Sequence, residues 1–127
     1  MSARFARVAV LSGVLMSGAM SASLLAADPK PDGAQAFKQR CQVCHSATAA
    51  KSTPLGPNLA GVVGRKAAAT TFAYSPALKA SKLTWTKASL DKYLTAPMKM
   101  VPGTRMVVSV PDPAQRAALI DFLAKAK

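Results

Sequence analysis

The 127-residue sequence predicts an all-α domain of three to five helices joined by long loops, and three observations carry that class. Each candidate helix opens on a Ser, Thr or Asp cap and then places apolar residues three and four apart, the spacing that lines up one helical face. Period-two alternation is nearly absent, and the best strand candidate is the short run Val107 to Val110. From Ser46 to Thr71 neither period holds. A structureless stretch of that length fits inside a compact domain only if it wraps something other than protein.

Taken in order, the chain opens with Arg4 and Arg7, an apolar run from Val8 to Met16, and small residues thickening toward Ala26-Ala27. This reads as a signal peptide over residues 1–27, cut after Ala27. The competing reading, an uncleaved anchor, rests on the lack of charge from Val8 to Ala27, but the serines and glycines in that run weaken it as a span. The remaining domain, 28–127, is small enough for its core to be marginal without help from a bound group.

Asp28-Pro29-Lys30-Pro31 is a stiff lead-in, and Asp32 with Gln35 reads as a capping box for a first helix from about Gly33 to Cys44. Gly33, Phe37 and Cys41 share its face. A glycine so early in a helix either merely starts it or lets another backbone come close. The run Thr53 to Leu59 is turn chemistry. Ser75-Pro76 opens a short helix to about Ala80, and Thr86 caps another with a Leu90, Tyr93, Leu94 stripe, closed by Pro97. The apolar loop Ala96 to Val110 carries Met98, Met100 and Met106. A last helix opens at Asp112-Pro113 and buries Leu119, Phe122 and Leu123, with Arg116, Asp121 and Lys125 expected to face water.

The two cysteines and the single histidine of the chain all fall in Cys41-Gln42-Val43-Cys44-His45. Cys-x-x-Cys-His is the attachment signature of c-type haem. On one helical turn Cys41 and Cys44 can each reach a vinyl group while His45 is carried beneath the iron. A zinc site would need a second ligand cluster, which is missing, and a thioredoxin-like pair would need a βαβ context. A plain disulfide leaves His45 unexplained. The fold is thus expected to wrap one covalent haem c and its iron. With one histidine, a bis-histidine iron is excluded, so the sixth position is open or held by another side chain. Methionine is the usual one, and any of the three thioethers in the 96–110 loop qualifies on flexibility, with the Pro102-Gly103 turn favouring Met106.

Several motifs in order resemble class I cytochrome c, the small soluble monohaem type of bacteria and mitochondria, over Gly33 to Lys127. They are Gly33 and Phe37 before Cys41; Gly56-Pro57-Asn58-Leu59; Gly61; Gly64-Arg65-Lys66; Tyr74; Trp85; Tyr93; Pro102-Gly103-Thr104-Arg105-Met106; and the closing Leu119-Ile120 with Phe122-Leu123. The resemblance implies the cytochrome c fold, with His45 and Met106 as iron ligands and Cys41 and Cys44 as the covalent attachments. It further implies that the Pro57 carbonyl accepts from His45, that Arg65, Tyr74 and Trp85 donate toward a haem propionate, and that Tyr93 and Thr104 bond near the Met106 sulfur or the second propionate. Gly33 and Phe37 would meet Leu119 and Phe122 where the first and last helices cross.

Removing the leader leaves 15 of the 17 basic residues against five aspartates, a net +10, and no glutamate occurs anywhere. Such a charge speeds encounter with acidic surfaces. The export signal and the absence of a binding motif speak against nucleic acid, and anionic lipid is a weak secondary surface. The aspartates form no acid–base pair, and no distal histidine is present for peroxide chemistry, so no enzyme activity is expected. The reading is a monomeric periplasmic one-electron carrier serving acidic redox proteins, with Lys38, Arg40, Lys51, Lys99 and Arg105 as docking candidates. The alternative is a haem c subunit of a larger dehydrogenase or sulfur-oxidising complex.

Overall fold

The capping residues determine where the helices begin. In the computed structural model, which describes residues 29–49, 51 and 53–127, five helices follow in chain order: α1 Gly33–Arg40, α2 Pro76–Ala80, α3 Lys87–Thr95, α4 Pro97–Met100 and α5 Pro113–Lys125. The expected signal peptide lies outside the described residues. Asp32 accepts from the Ala34 N–H, Ser75 from Leu78, and Asp112 from both Ala114 and Gln115. Thr86 forms a reciprocal capping box with Ser89. Each supplies an acceptor for N–H groups that a helix start leaves without one.

Two expectations need correction, and one helix, α4, was not expected. The first helix stops at Arg40 rather than running to Cys44, and the haem signature sits in the turns that follow. Pro97 does end α3, because it drives Ala96 to an extended φ of −157° and ψ of 83°, but it also starts α4 from its own first-turn position. Arg116, expected in water, is buried: its guanidinium finds Asp91 and two backbone carbonyls inside the fold, so its charge is matched there. The run Val107 to Val110 forms no strand. Among the described residues the only bridge is an isolated antiparallel pair, Lys66 with Thr84.

The core is centred on the crossing of α1 and α5. Phe37 and Phe122 meet with ring centroids 5.3 Å apart, and Leu119 is fully buried. A Cβ on Gly33 would lie 2.0 Å from the Ala118 carbonyl oxygen and 2.8 Å from Phe122 Cβ, so the close-approach reading of that glycine is the correct one. Helix α3 packs on α5 with Leu90, Tyr93 and Leu94 buried, and Trp85 lies on Tyr93 at 4.9 Å. Each such large apolar side chain, fully buried, contributes about 1.5–3 kcal/mol. The long loop from α1 to α2 is fastened at intervals: Leu59 N to Ser46 O at 2.7 Å, Gly64 N to Trp85 O at 2.7 Å, and Gly61 N to the Ala126 carbonyl beyond α5 at 2.8 Å. These tie a segment without regular structure to both ends of the helical frame.

Candidate haem site

Two hydrogen bonds shape the signature turn. Cys44 N and His45 N both donate to the Cys41 carbonyl, at 3.0 and 2.8 Å. A single turn of chain therefore presents both sulfurs and the imidazole together, without a continuous helix through them. The cysteines are not joined to each other. Burial pushes the Cys41 thiol up to about 11, with nearby Arg40 offsetting only part of the effect. At neutral pH a free Cys41 sulfur is therefore protonated, which disfavours standing metal ligation because the thiolate is the form that binds metal.

The imidazole is held on one side only. His45 Nδ1 donates to the Pro57 carbonyl at 2.7 Å, which assigns the proton to that nitrogen and leaves Nε2 as the free donor atom. Burial lowers the His45 pKa, against a smaller opposing effect of the Pro57 bond, and so favours the neutral ring. Gly56 is what allows the loop so near: a Cβ there would come within 2.7 Å of His45 Cε1 and of the Cys44 carbonyl. Thr53 fastens the same turn through its hydroxyl to the Cys44 carbonyl, and Asn58 donates from its side chain to Thr48 O at 2.7 Å. Sequence reasoning did not assign roles to Thr53 or Asn58. The signal was the turn-forming run itself, whose polar side chains must bond to backbone somewhere.

Every site residue singled out from the sequence, namely Cys41, Cys44, His45, Pro57, Arg65, Tyr74, Trp85, Tyr93, Thr104 and Met106, borders one cavity of about 470 Å³. Of the three methionines only Met106 lines it, whereas Met98 is more than half exposed. The approach to Met106 is a turn over Val101–Thr104, closed by Thr104 N to Val101 O at 3.0 Å, with Gly103 at φ 89°. Proline then glycine at its centre is the sequence that a type II turn requires.

Some polar groups expected to reach toward a propionate are already engaged. Arg65 donates to the carbonyls of Asn58 at 2.7 Å and Ala60 at 2.9 Å, which uses part of its five N–H donors to brace the loop. The Tyr74 hydroxyl pairs with Thr70 Oγ1 at 2.6 Å. Tyr93 and Thr104 bond each other at 2.6 Å, and burial raises the Tyr93 pKa, so the phenol stays protonated. Replacing Tyr93 with Phe leaves the buried Thr104 hydroxyl without that partner. A loss of about 1–3 kcal/mol is expected in a denaturant titration at unchanged slope, and an unshifted midpoint would show that the bond contributes nothing net.

The cavity's contents fit a flat apolar macrocycle carrying a metal. Two thiols and an imidazole share it with a thioether and a largely aliphatic and aromatic lining, and its volume lies within the roughly 300–1,000 Å³ of small-molecule sites. Val43, Leu55 and Val107 on its lining are 78, 66 and 69 % exposed, so part of the site lies at the surface.

The cytochrome c family profile matches residues 31–127. The chain belongs to the cytochrome c family. It is 47 % identical over 106 residues to a cytochrome c2 of Rhodomicrobium vannielii, a match spanning 82 % of this chain and 84 % of that one. A cytochrome c type-1 of Ascaris suum is 43 % identical over 72 % of this chain and 82 % of its own length. Among solved structures, cytochrome cH from Methylobacterium extorquens superposes with a TM-score of 0.66 at 42 % identity, covering 72 % of this chain and 92 % of that one. As a cytochrome c, the chain holds one covalent haem c with its iron and works as an electron carrier rather than an enzyme. No helix among the described residues is long and apolar enough to cross a membrane.

Proposed function

We propose that this cytochrome c is a diffusible periplasmic one-electron carrier whose iron is held by His45 and Met106. The observation that carries the reading is that His45, Met106 and both cysteines border a single cavity, with the other imidazole nitrogen already committed to Pro57. The haem supplies the one-electron chemistry. The protein's part is to hold it: Cys41 and Cys44 as the covalent attachments, His45 Nε2 and the Met106 sulfur as ligands, and Trp85, Tyr93 and Leu94 as walls that exclude water. A thioether favours ferrous iron and so raises the potential. That Arg65, Tyr74 and Trp85 line the same cavity supports a propionate role for them, Arg65 and Tyr74 with reduced free donor capacity.

Charge supports acidic partners. The four described aspartates are all occupied: Asp32 and Asp112 as helix caps, Asp91 with Arg116, and Asp121 with Lys87. Arg40, Lys66 and Arg105 border the cavity and leave its surroundings positive, whereas Lys38, Lys51 and Lys99 lie off it. Electron exchange with an acidic redox protein is expected to slow about tenfold or more between roughly 10 mM and 0.5 M salt, measured by stopped flow. A rate indifferent to salt would reject electrostatic docking. Copurification with a larger oxidoreductase at high ionic strength would replace the free carrier with the complex-subunit reading. A redox titration with a pyridine haemochrome assay tests haem attachment and ligation directly.

A further inference from the structure

Arg116 is the one cation that the fold buries among the described residues. Its Nε donates to Asp91 Oδ1 at 2.6 Å, and its Nη1 donates to the carbonyls of Val110 at 2.9 Å and Pro111 at 3.1 Å. Val110, itself fully buried, sends its N–H to the Leu94 carbonyl of α3 at 2.7 Å. The chain just beyond Met106 is therefore gripped from two helices, by α3 through Leu94 and Asp91 and by α5 through Arg116.

Upstream, the Val101–Thr104 turn and the Tyr93–Thr104 bond form a second anchor. Between the anchors, the backbone of residues 105–109 makes no hydrogen bond to the backbone of other described residues, and Val107 is 69 % exposed. Met106 sits on a strap whose backbone is fixed at its ends and unpaired between them, hydrogen-bonded there, among the described residues, only through the exposed Arg105 side chain, which donates to the Ala73 carbonyl at 3.1 Å. How far the sulfur can stray then depends on how firmly the ends are held.

We propose that the Arg116–Asp91 pair is a positioning device for Met106, holding the downstream end of the strap so that the sulfur stays at the cavity. This rests on the reading of Met106 as iron ligand. The molecule contains its own comparison: Lys87 and Asp121, 2.7 Å apart, also join α3 to α5, but that pair is exposed and touches no carbonyl of the strap. A pair that merely staples the helices should behave like Lys87–Asp121.

The test uses the haem-loaded protein as Asp91→Asn, Arg116→Lys and, for comparison, Lys87→Ala. Heating is followed both by the sulfur-to-ferric-iron absorption band and by helix circular dichroism, and free imidazole is titrated as a competing ligand. In Asp91→Asn and Arg116→Lys the band should bleach at a temperature below helix melting. Imidazole should bind about tenfold tighter or more, because the fraction of time the sixth position is vacant multiplies the apparent affinity. In Lys87→Ala the two melts should stay together, with imidazole affinity unchanged. Coincident melts and unaltered imidazole affinity in all three variants would overturn the proposal. A wild-type protein lacking the band would overturn the ligand assignment beneath it, which is a distinguishable failure.

Discussion

A Met106→Ala variant, loaded with haem, is expected to lose the sulfur-to-ferric-iron band at neutral pH and to fall in reduction potential by on the order of 0.1 V or more, within the roughly 0.8 V range that axial ligands command. The argument is one of exclusion by position. Met98 points largely into solvent and Met100 packs against the core without lining the cavity, so neither sulfur stands where Met106 does. Met98→Ala should leave band and potential unchanged. If Met98→Ala abolished the band and Met106→Ala did not, the ligand assignment would be wrong.

Gly33→Val should destabilise the fold by about 3 kcal/mol or more, since overpacking a closed contact costs about 1–3 kcal/mol even where neighbours can shift. Here the obstruction is backbone. The nearest atom to a new Cβ is the Ala118 carbonyl oxygen at 2.0 Å, which cannot move without displacing α5. For a domain of this size the melting temperature should drop by more than about 10 °C. Gly61→Ala offers the contrast: its φ of 64° strains an L residue by about 1–2 kcal/mol, but its Cβ would meet nothing within 4 Å. Equal losses in the two would argue that α1 and α5 do not cross as closely as described.

Sequence reasoning recovered four of the five helices because their starts carry chemistry, and missed α4, whose Ala96 cap offers no side-chain acceptor. Asp32, Ser75, Thr86 and Asp112 each hold an acceptor at the place where a helix lacks one. Spacing within Cys41 to His45 grouped both sulfurs with the imidazole, and the Pro102-Gly103 turn singled out Met106, whereas Pro57, Arg65, Tyr74, Trp85, Tyr93 and Thr104 came from the family resemblance alone because no local spacing links them. Sequence reasoning failed where the outcome depends on distant partners. A polar face at Arg116 looks solvent-directed until Asp91, Val110 and Pro111 converge on it, and nothing in helical period announces that. The end of α1 was misplaced for a related reason: Cys41 to His45 form a turn with helix-like spacing, and sequence periodicity does not tell the two apart.

The bond from Gly61 N–H to the Ala126 carbonyl has a practical side. Wiring this protein to an electrode through a linker on Lys127 would hang the load beside that bond. Tension there would pass into the loop that also carries Pro57, whose carbonyl steadies the imidazole of His45. A surface attachment through Lys92, exposed on α3, would leave that mechanical route slack.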